Sequence, residues 1–277
     1  MPAISLVVCL YHEGDLLKRM LERAAGCFDD VVVVHDGPDT TNVRAVAEAG
    51  GARFFERPRA YQQEPHWPFA WGAAKHDWIL RLDADEIPGP ELGEWLKKFR
   101  AAPEPPADIS GYTCIWPLWD GRRQVTSRWP NNRNFLLHRQ RVRFIGMPEQ
   151  MPEADGRWEH VPLILEHRPK RQSYGLRYVL LRQQSARWRV CIAKALLHDS
   201  PMQLPEWRWE NRPWPRVWAR IQEQPLRTAF ARLLWHFPNA LKEQWRIEGW
   251  PRPFAVATPG LIHFLVCFKY MRLRRRR

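Results

Sequence analysis

Over its first hundred residues the chain alternates short, β-branched apolar runs with amphipathic stretches, and that alternation limits the fold more than any other feature. Ile4-Ser5-Leu6-Val7-Val8-Cys9-Leu10 reads as a strand buried on both faces, because it is apolar almost throughout rather than at every second position. Asp15 to Ala25 follows, with Leu16, Leu17, Met20, Leu21 and Ala24 at helical spacing. Val31 to Val34 is a second buried strand and closes on the turn signal His35-Asp36-Gly37-Pro38. Asn42 to Ala49 is predicted helical and stops at Gly50-Gly51. Ala52 to Phe55 and Trp78 to Leu82 supply a third and a fourth strand. This order predicts an α/β fold, a mostly parallel sheet with helices on both faces. Ligands of such sheets sit beyond the carboxyl ends of the strands, and Tyr11, Asp36 and Asp83 all fall there.

The fourth strand runs straight into Asp83-Ala84-Asp85-Glu86. Side chains two residues apart at a strand end point the same way, so both aspartates can face one ion. Hard carboxylate oxygens suit Mg²⁺ or Mn²⁺, which keeps coordination sites for diphosphate oxygens and water. Glu86 reads as a carboxylate at a helix N-terminus that supports the pair, since Pro88 follows. The short motif gains weight from its setting, directly after a buried strand in a chain of formal net charge +13.

That charge, with a pI of about 10.0, implies an anionic partner: phosphorylated substrate, nucleic acid or an anionic membrane. No RNP-like, zinc-finger or helix-turn-helix pattern occurs, and the basic residues are spread along the chain, so nucleic acid is not expected. Cys9, Cys27, Cys114, Cys191 and Cys267 are scattered without a C-x-x-C pair and read as reduced thiols in a cytosolic setting. No signal-peptide pattern is visible, and no apolar run approaches the roughly 20 residues that cross a bilayer. A Pro-rich link over Ala101 to Ala107 precedes further predicted strands at Gly111 to Trp119, Asn134 to His138 and Pro162 to His167. Ser173 to His198 is helical and basic in pattern, and the final third is rich in Trp, Arg and Pro. The tail from Pro259 to Leu273 is apolar and is followed by four arginines. Such a helix suits an interface with anionic lipids, the alternative being a helix packed on the domain with a solvated basic end.

Three of these segments carry a family resemblance. Val8-Cys9-Leu10-Tyr11-His12-Glu13 resembles the strand-end Pro-x-Tyr-Asn-Glu of family 2 glycosyltransferases. Val31 to Thr40 is similar to that family's Val-Val-Asp-Asp-Gly-Ser-Thr-Asp, and Trp78 to Glu86 to its Trp-x-Leu-x-Leu-Asp-Ala-Asp-Glu. Two later matches resemble a bacterial subgroup that builds lipopolysaccharide core or other surface glycans. They are Arg143-Phe144-Ile145-Gly146-Met147-Pro148-Glu149 with Leu163-Ile164-Leu165-Glu166-His167, and Gly260 through Lys269-Tyr270-Met271-Arg272-Leu273. The departures are His35 where the family has the aspartate that commonly pairs with uracil, His12 for Asn, Pro148 for His, and Pro65-His66-Trp67-Pro68-Phe69 for a Gln-Arg-Asn stretch.

The resemblance implies a GT-A fold over residues 1–170 and a helical, basic region with a membrane-interface tail over 171–277. It implies an inverting, metal-dependent transfer from a nucleotide-diphosphate sugar, UDP-sugar favoured, to a glycan or glycolipid. Tyr11 would stack on the base, with Glu13 near the ribose and Asp36 in the donor site. Asp83 would contact ribose or metal, Asp85 and His167 would bind Mg²⁺ or Mn²⁺, and Glu149 would be the general base. The implied location is cytoplasmic, peripheral on the inner face of the cytoplasmic membrane. Two other classes stay open: a basic nucleic-acid- or membrane-binding protein, and a catalytically silent scaffold that keeps the fold.

Overall fold

A computed structural model describes residues 1–60, 62–119, 124–125, 132–144, 152–168, 183–198, 216–248 and 253–276. These fall into two compact units, one holding everything described up to Arg168 and the other everything from Gln183 onward.

The first unit opens with β1 (Ile4–Leu10), α1 (Gly14–Arg23), β2 (Asp30–Asp36), α2 (Val43–Ala49) and β3 (Arg53–Arg57). A 3-10 turn at Glu64–His66 leads into α3 (Trp67–Ala73), β4 (Trp78–Arg81), β5 (Glu86–Pro88) and α4 (Pro90–Ala101). Then follow β6 (Ile109–Ile115), the short pair β7 (Leu118–Trp119) and β8 (Gln124–Val125), and β9 (Asn132–His138). β10 (Val142–Arg143), β11 (Glu153–Ala154) and the long β12 (Arg157–His167) complete it. Eight strands form one sheet in the order β3-β2-β1-β4-β9-β6-β12-β5.

β1 to β4 are mutually parallel, with Val8 beside Val33 and Val7 beside Arg81. β9 enters antiparallel between β4 and β6, and β5 pairs antiparallel with the end of β12. The sheet is therefore mostly parallel, as the alternating pattern predicts.

The continuous apolar runs have a direct cause. Leu6, Val8, Val31, Val33 and Leu80 face one core with Leu17, Met20, Leu92 and Leu96 of α1 and α4. Their sequence neighbours Val7, Cys9, Val32, Val34 and Ile79 face a second core with Trp67 and Trp71 of α3. Side chains alternate across a strand, so a sheet covered on both faces needs apolar residues at every position. Each fully buried Val or Leu contributes about 1.5–3 kcal/mol relative to exposure.

The strand ends bring the polar groups together. Because β9 runs against its neighbours, its first residues lie at the carboxyl ends of β4 and β6. Arg133 thus reaches Asp83, which follows β4.

The second unit contains α5 (Gln183–His198), α6 (Arg216–Glu223), α7 (Pro225–Glu248) and α8 (Pro253–Arg274). Its core is Ile192, Leu196, Trp218, Ile221, Val266 and Tyr270 with smaller residues between them. No helix among the described residues is long and apolar enough to cross a membrane. The four cysteines whose side chains are described, Cys9, Cys27, Cys114 and Cys267, are buried and unbridged.

Candidate functional site

The site consists of two polar clusters at the carboxyl edge of the sheet. The first is built on the ends of β1 and β2. Asp36 is 4% exposed, yet both of its carboxylate oxygens are engaged. Oδ1 accepts the Ala60 backbone N–H at 2.5 Å and meets His66 Nε2 at 2.9 Å. Oδ2 accepts the Arg59 guanidinium at 2.6 Å. Asp36 thereby ties the chain after β3 onto the end of β2. Gly37 makes this possible: its φ is +100°, and a Cβ there would stand 3.1 Å from Arg59 Cδ.

Arg59, once fixed, covers Tyr11. Its guanidinium carbon lies 3.3 Å from the centre of the Tyr11 ring, and the His12 ring stacks on Tyr11 at 3.6 Å. Two groups that close to one ring centre cannot share a face, so Tyr11 is sandwiched between a guanidinium and an imidazole. His12 adopts a left-handed φ of 56°, which folds its ring back over its neighbour. His35 is fully buried beneath. Its Nδ1 bonds the Gly37 carbonyl at 2.7 Å, and its Nε2 accepts the His12 backbone N–H at 3.3 Å. These two bonds specify the Nδ1–H tautomer. Burial, then the neighbouring His35 and Arg59, hold the His12 imidazole below its ordinary pKa. Glu13 precedes α1, its carbonyl accepting the Leu17 N–H at 2.9 Å.

The second cluster is built on β4. Asp83 Oδ2 accepts Gln63 Nε2 at 3.1 Å and pairs with Arg133 Nη2 at 3.0 Å. Asp83 Oδ1 is buried and has no hydrogen-bond partner among the described residues. Asp85 Oδ2 lies 3.4 Å from His167 Nε2, and the His167 ring is stacked on Trp116 at 4.4 Å. The Asp85 carbonyl also accepts the Arg168 N–H at 2.8 Å, which fixes the end of β12 beside the aspartates.

Glu86 supports this group from below, but from a strand. It opens β5, and the helix begins only at Pro90, so the helix-terminus reading of Glu86 is corrected. The cause is pairing with the last residues of β12, His167 against Glu86. Fully buried, Glu86 accepts the Asp83 backbone N–H at 2.9 Å and lies 3.0 Å from Arg133 Nε. Burial pushes its carboxyl up to about 7; Arg133 opposes the rise and Asp83 adds to it. Burial also works against the Arg133 charge, but Asp83 and Glu86 outweigh it and hold that guanidinium protonated. Arg81, 1% exposed, lies 4.3 Å from the Trp67 ring and donates to the Asn134 carbonyl at 2.9 Å. Burial, then the like charge of Arg133, lowers its pKa to about 9.

The structure thus brings Tyr11 and Asp36 into one cluster and Asp83, Asp85 and His167 into the other. Glu149 lies outside the described residues. Arg59, Gln63, His66 and Arg133 complete the site; His66 lies in the Pro65–Phe69 stretch that departs from the family pattern, while the other three carried no sequence signal, since each is an ordinary polar residue until the fold aims it.

No three His, Cys, Asp or Glu side chains among the described residues converge as a ready cage for a metal. Mg²⁺ and Mn²⁺ do not need one, because they bind through one or two carboxylates plus substrate phosphates and water. The orphaned Asp83 Oδ1 and the partly exposed Asp85 carboxylate fit such a group.

This mostly parallel sheet flanked by helices, with its polar residues at the carboxyl edge, is a GT-A fold, the scaffold of a class of sugar-transferring enzymes. Residues 5–156, more than half of the chain, match the model of glycosyl transferase family 2. The chain belongs to that family, and the protein is a glycosyltransferase. Among solved structures it is similar to a mycobacterial protein, at 16% identity and a TM-score of 0.45 over 77% of this chain and 84% of that one. It is similar to the mannosyltransferase PcManGT from Pyrobaculum calidifontis, solved with GDP-Man and Mn²⁺, at 15% identity and 0.45 over 98% and 87%. It also matches TarS 1-349 of S. aureus, at 13% identity and 0.40 over 99% and 92%. Likenesses this distant carry no weight for donor, metal or acceptor.

Proposed function

We propose that this chain is an inverting, metal-dependent glycosyltransferase that moves a sugar from a nucleotide diphosphate to a glycan or glycolipid in bacterial surface-polysaccharide synthesis, such as lipopolysaccharide core. The observation that carries the reading is the Asp83, Asp85, His167 and Arg133 group, gathered beyond the strand ends, with Asp83, Asp85 and Arg133 inside the segment that matches the family and His167 just past its end. Asp83 and Asp85 would hold Mg²⁺ or Mn²⁺, with His167 beside Asp85. Such an ion, when bound, supplies Lewis-acid stabilisation of the departing diphosphate. Arg133 adds a fixed positive charge to the same group, and Glu86 orients it. The nucleotide base lies against the outside of the Arg59–Tyr11–His12 stack. Glu13 lies near the ribose and Asp36 holds Arg59 in place. Glu149 takes the proton from the acceptor hydroxyl, which requires an ionised carboxylate within about 3 Å of that oxygen. A UDP-sugar is the favoured donor.

One observation favours a second reading, a scaffold that has lost donor binding. Tyr11 is covered on both faces and both Asp36 oxygens are engaged, so the base region is filled by the chain's own side chains.

Calorimetry with UDP, GDP, ADP and TDP, each with and without Mn²⁺, separates the two. The enzyme reading expects one nucleotide to bind, more tightly with metal, and expects Asp85→Ala to abolish the metal-dependent part. If no nucleotide binds in the presence of Mn²⁺, the scaffold reading replaces it.

A further inference from the structure

The helical unit buries its own core and still leaves large apolar side chains on its surface. Leu226 is 50% exposed, Phe230 52% and Leu234 72%. They recur every fourth residue along α7, so they form one stripe. Phe230 packs edge-on against Phe264 of α8 at 5.5 Å, and Phe264 lies against Phe268 at 4.6 Å. Phe268 is itself 41% exposed, so the apolar surface continues from α7 onto α8. Apart from Met1 and Ile164, the exposed large apolar side chains of the described residues all lie in this unit.

The stripe runs into a groove of about 600 Å³ among α5, the start of α7 and the end of α8. Val190, Leu226, Leu265, Phe268 and Met271 give it an apolar lining. Arg189, Lys269, Arg272, Arg275 and Arg276 rim it, and no acidic residue among the described residues lines it. The charge is one-sided in the sequence as well. No Asp or Glu occurs in residues 183–198, 225–242 or 253–276, which hold three, three and five Lys or Arg respectively. An apolar stripe bordered by cations is complementary to a surface with phosphates outside and hydrocarbon just beneath. A second copy of this face would repel it, because both sides carry the same charge.

We propose that the face formed by α5, α7 and α8 docks on an anionic phospholipid bilayer. The Leu226–Phe230–Leu234 stripe enters the headgroup boundary, and the basic end of α8 contacts lipid phosphates around the mouth of the groove. The contact is interfacial, since no described helix is long and apolar enough to span. It does not rest on the donor reading and stands or falls separately from it.

The test is co-sedimentation of the full chain with vesicles of phosphatidylglycerol and phosphatidylcholine in equal parts, and with phosphatidylcholine alone. The full chain is expected to bind the first, weakly or not at all the second, and less as salt rises. Replacing Arg272, Arg275 and Arg276 together by Ala should weaken binding on the order of a hundredfold, about fivefold per lost charge. Leu234→Glu, at an exposed position where folding is insensitive, should weaken it by at least about tenfold. Circular dichroism melting checks that both variants fold as the parent does. Equal binding to both vesicle types, or parental binding by the folded Leu234→Glu chain, overturns the proposal. So does a lipid-free dimer that Leu234→Glu converts to monomer while vesicle binding is unchanged, which would make the face a self-association surface.

Discussion

The two units handle charge and apolar surface in opposite ways. In the sheet unit, apolar side chains are buried on both faces and the site's charged groups are drawn inward into pairs. Asp36 sits with Arg59 and His66, and Glu86 and Asp83 sit with Arg133. In the helical unit, Leu226, Phe230, Leu234 and Phe268 stay at the surface, and the groove that Leu226 and Phe268 line is rimmed by Arg and Lys. A buried ion needs a geometrically matched partner to offset its lost hydration, so the first arrangement ties each of these carboxylates to a particular cation or imidazole. The second leaves much of that apolar surface in water, which is the pattern of an interaction face.

The largest expected effect tests the buried pairing. Arg133→Ala leaves Glu86 without its cation and should cost about 3–5 kcal/mol at about pH 8, measured by urea unfolding in metal-free buffer. The loss should shrink towards pH 5. Glu86 already titrates near 7 against an ordinary 4.5, and without Arg133 it rises further. Its raised folded-state pKa means proton uptake favours the fold below that range, and this support is lost as pH rises through it. A loss independent of pH would mean that Arg133 acts by packing alone.

A matched pair of leucines comes next. Leu6→Ala in the fully buried core should cost about 2–5 kcal/mol. Leu234→Ala on the exposed stripe should stay within about 0.5 kcal/mol. Comparable losses at the two positions would erase the contrast between the units. Tyr11→Ala should weaken nucleotide binding by about 1–3 kcal/mol if the base stacks there, read by calorimetry. Unchanged affinity would place the base elsewhere.

A modest effect lies at the start of α2. Asp39 accepts backbone N–H groups of Thr41 at 3.0 Å and Arg44 at 2.8 Å, and these bonds outweigh burial to lower its pKa to about 2. Asp39→Ala should cost about 1 kcal/mol at neutral pH, as loss of a helix cap does. A depressed pKa gives stability that is present above the ordinary 3.8 and lost as pH falls through about 2, so the parent and variant should converge in acid.

The strands of the first hundred residues were legible because burial on both faces demands apolar residues at every position, and few other structures do. Asp83 and Asp85 were legible because a carboxylate pair directly after such a strand stands out against its context. Glu86 was misplaced on a helix, since Pro88 resembles a helix start and only pairing with β12 makes the segment a strand. Arg133 left no trace, because the antiparallel entry of β9 beside β4 is a choice of sheet order. The α7 stripe was missed for a different reason: Trp, Arg and Pro crowd that third of the chain, and which apolar residues stay outside depends on what the other helices cover.

The sequence by itself determined the class of fold and the position of the acidic pair, since both follow from patterns within a few residues. Only the tertiary structure decided what each of those carboxylates meets. Asp83 and Glu86 share Arg133, 47 residues beyond Glu86, while Asp36 is held by Arg59 and His66 rather than left open. The physical reason is that a charged side chain's partner is set by distance in space, and spatial neighbours come from strand order and direction.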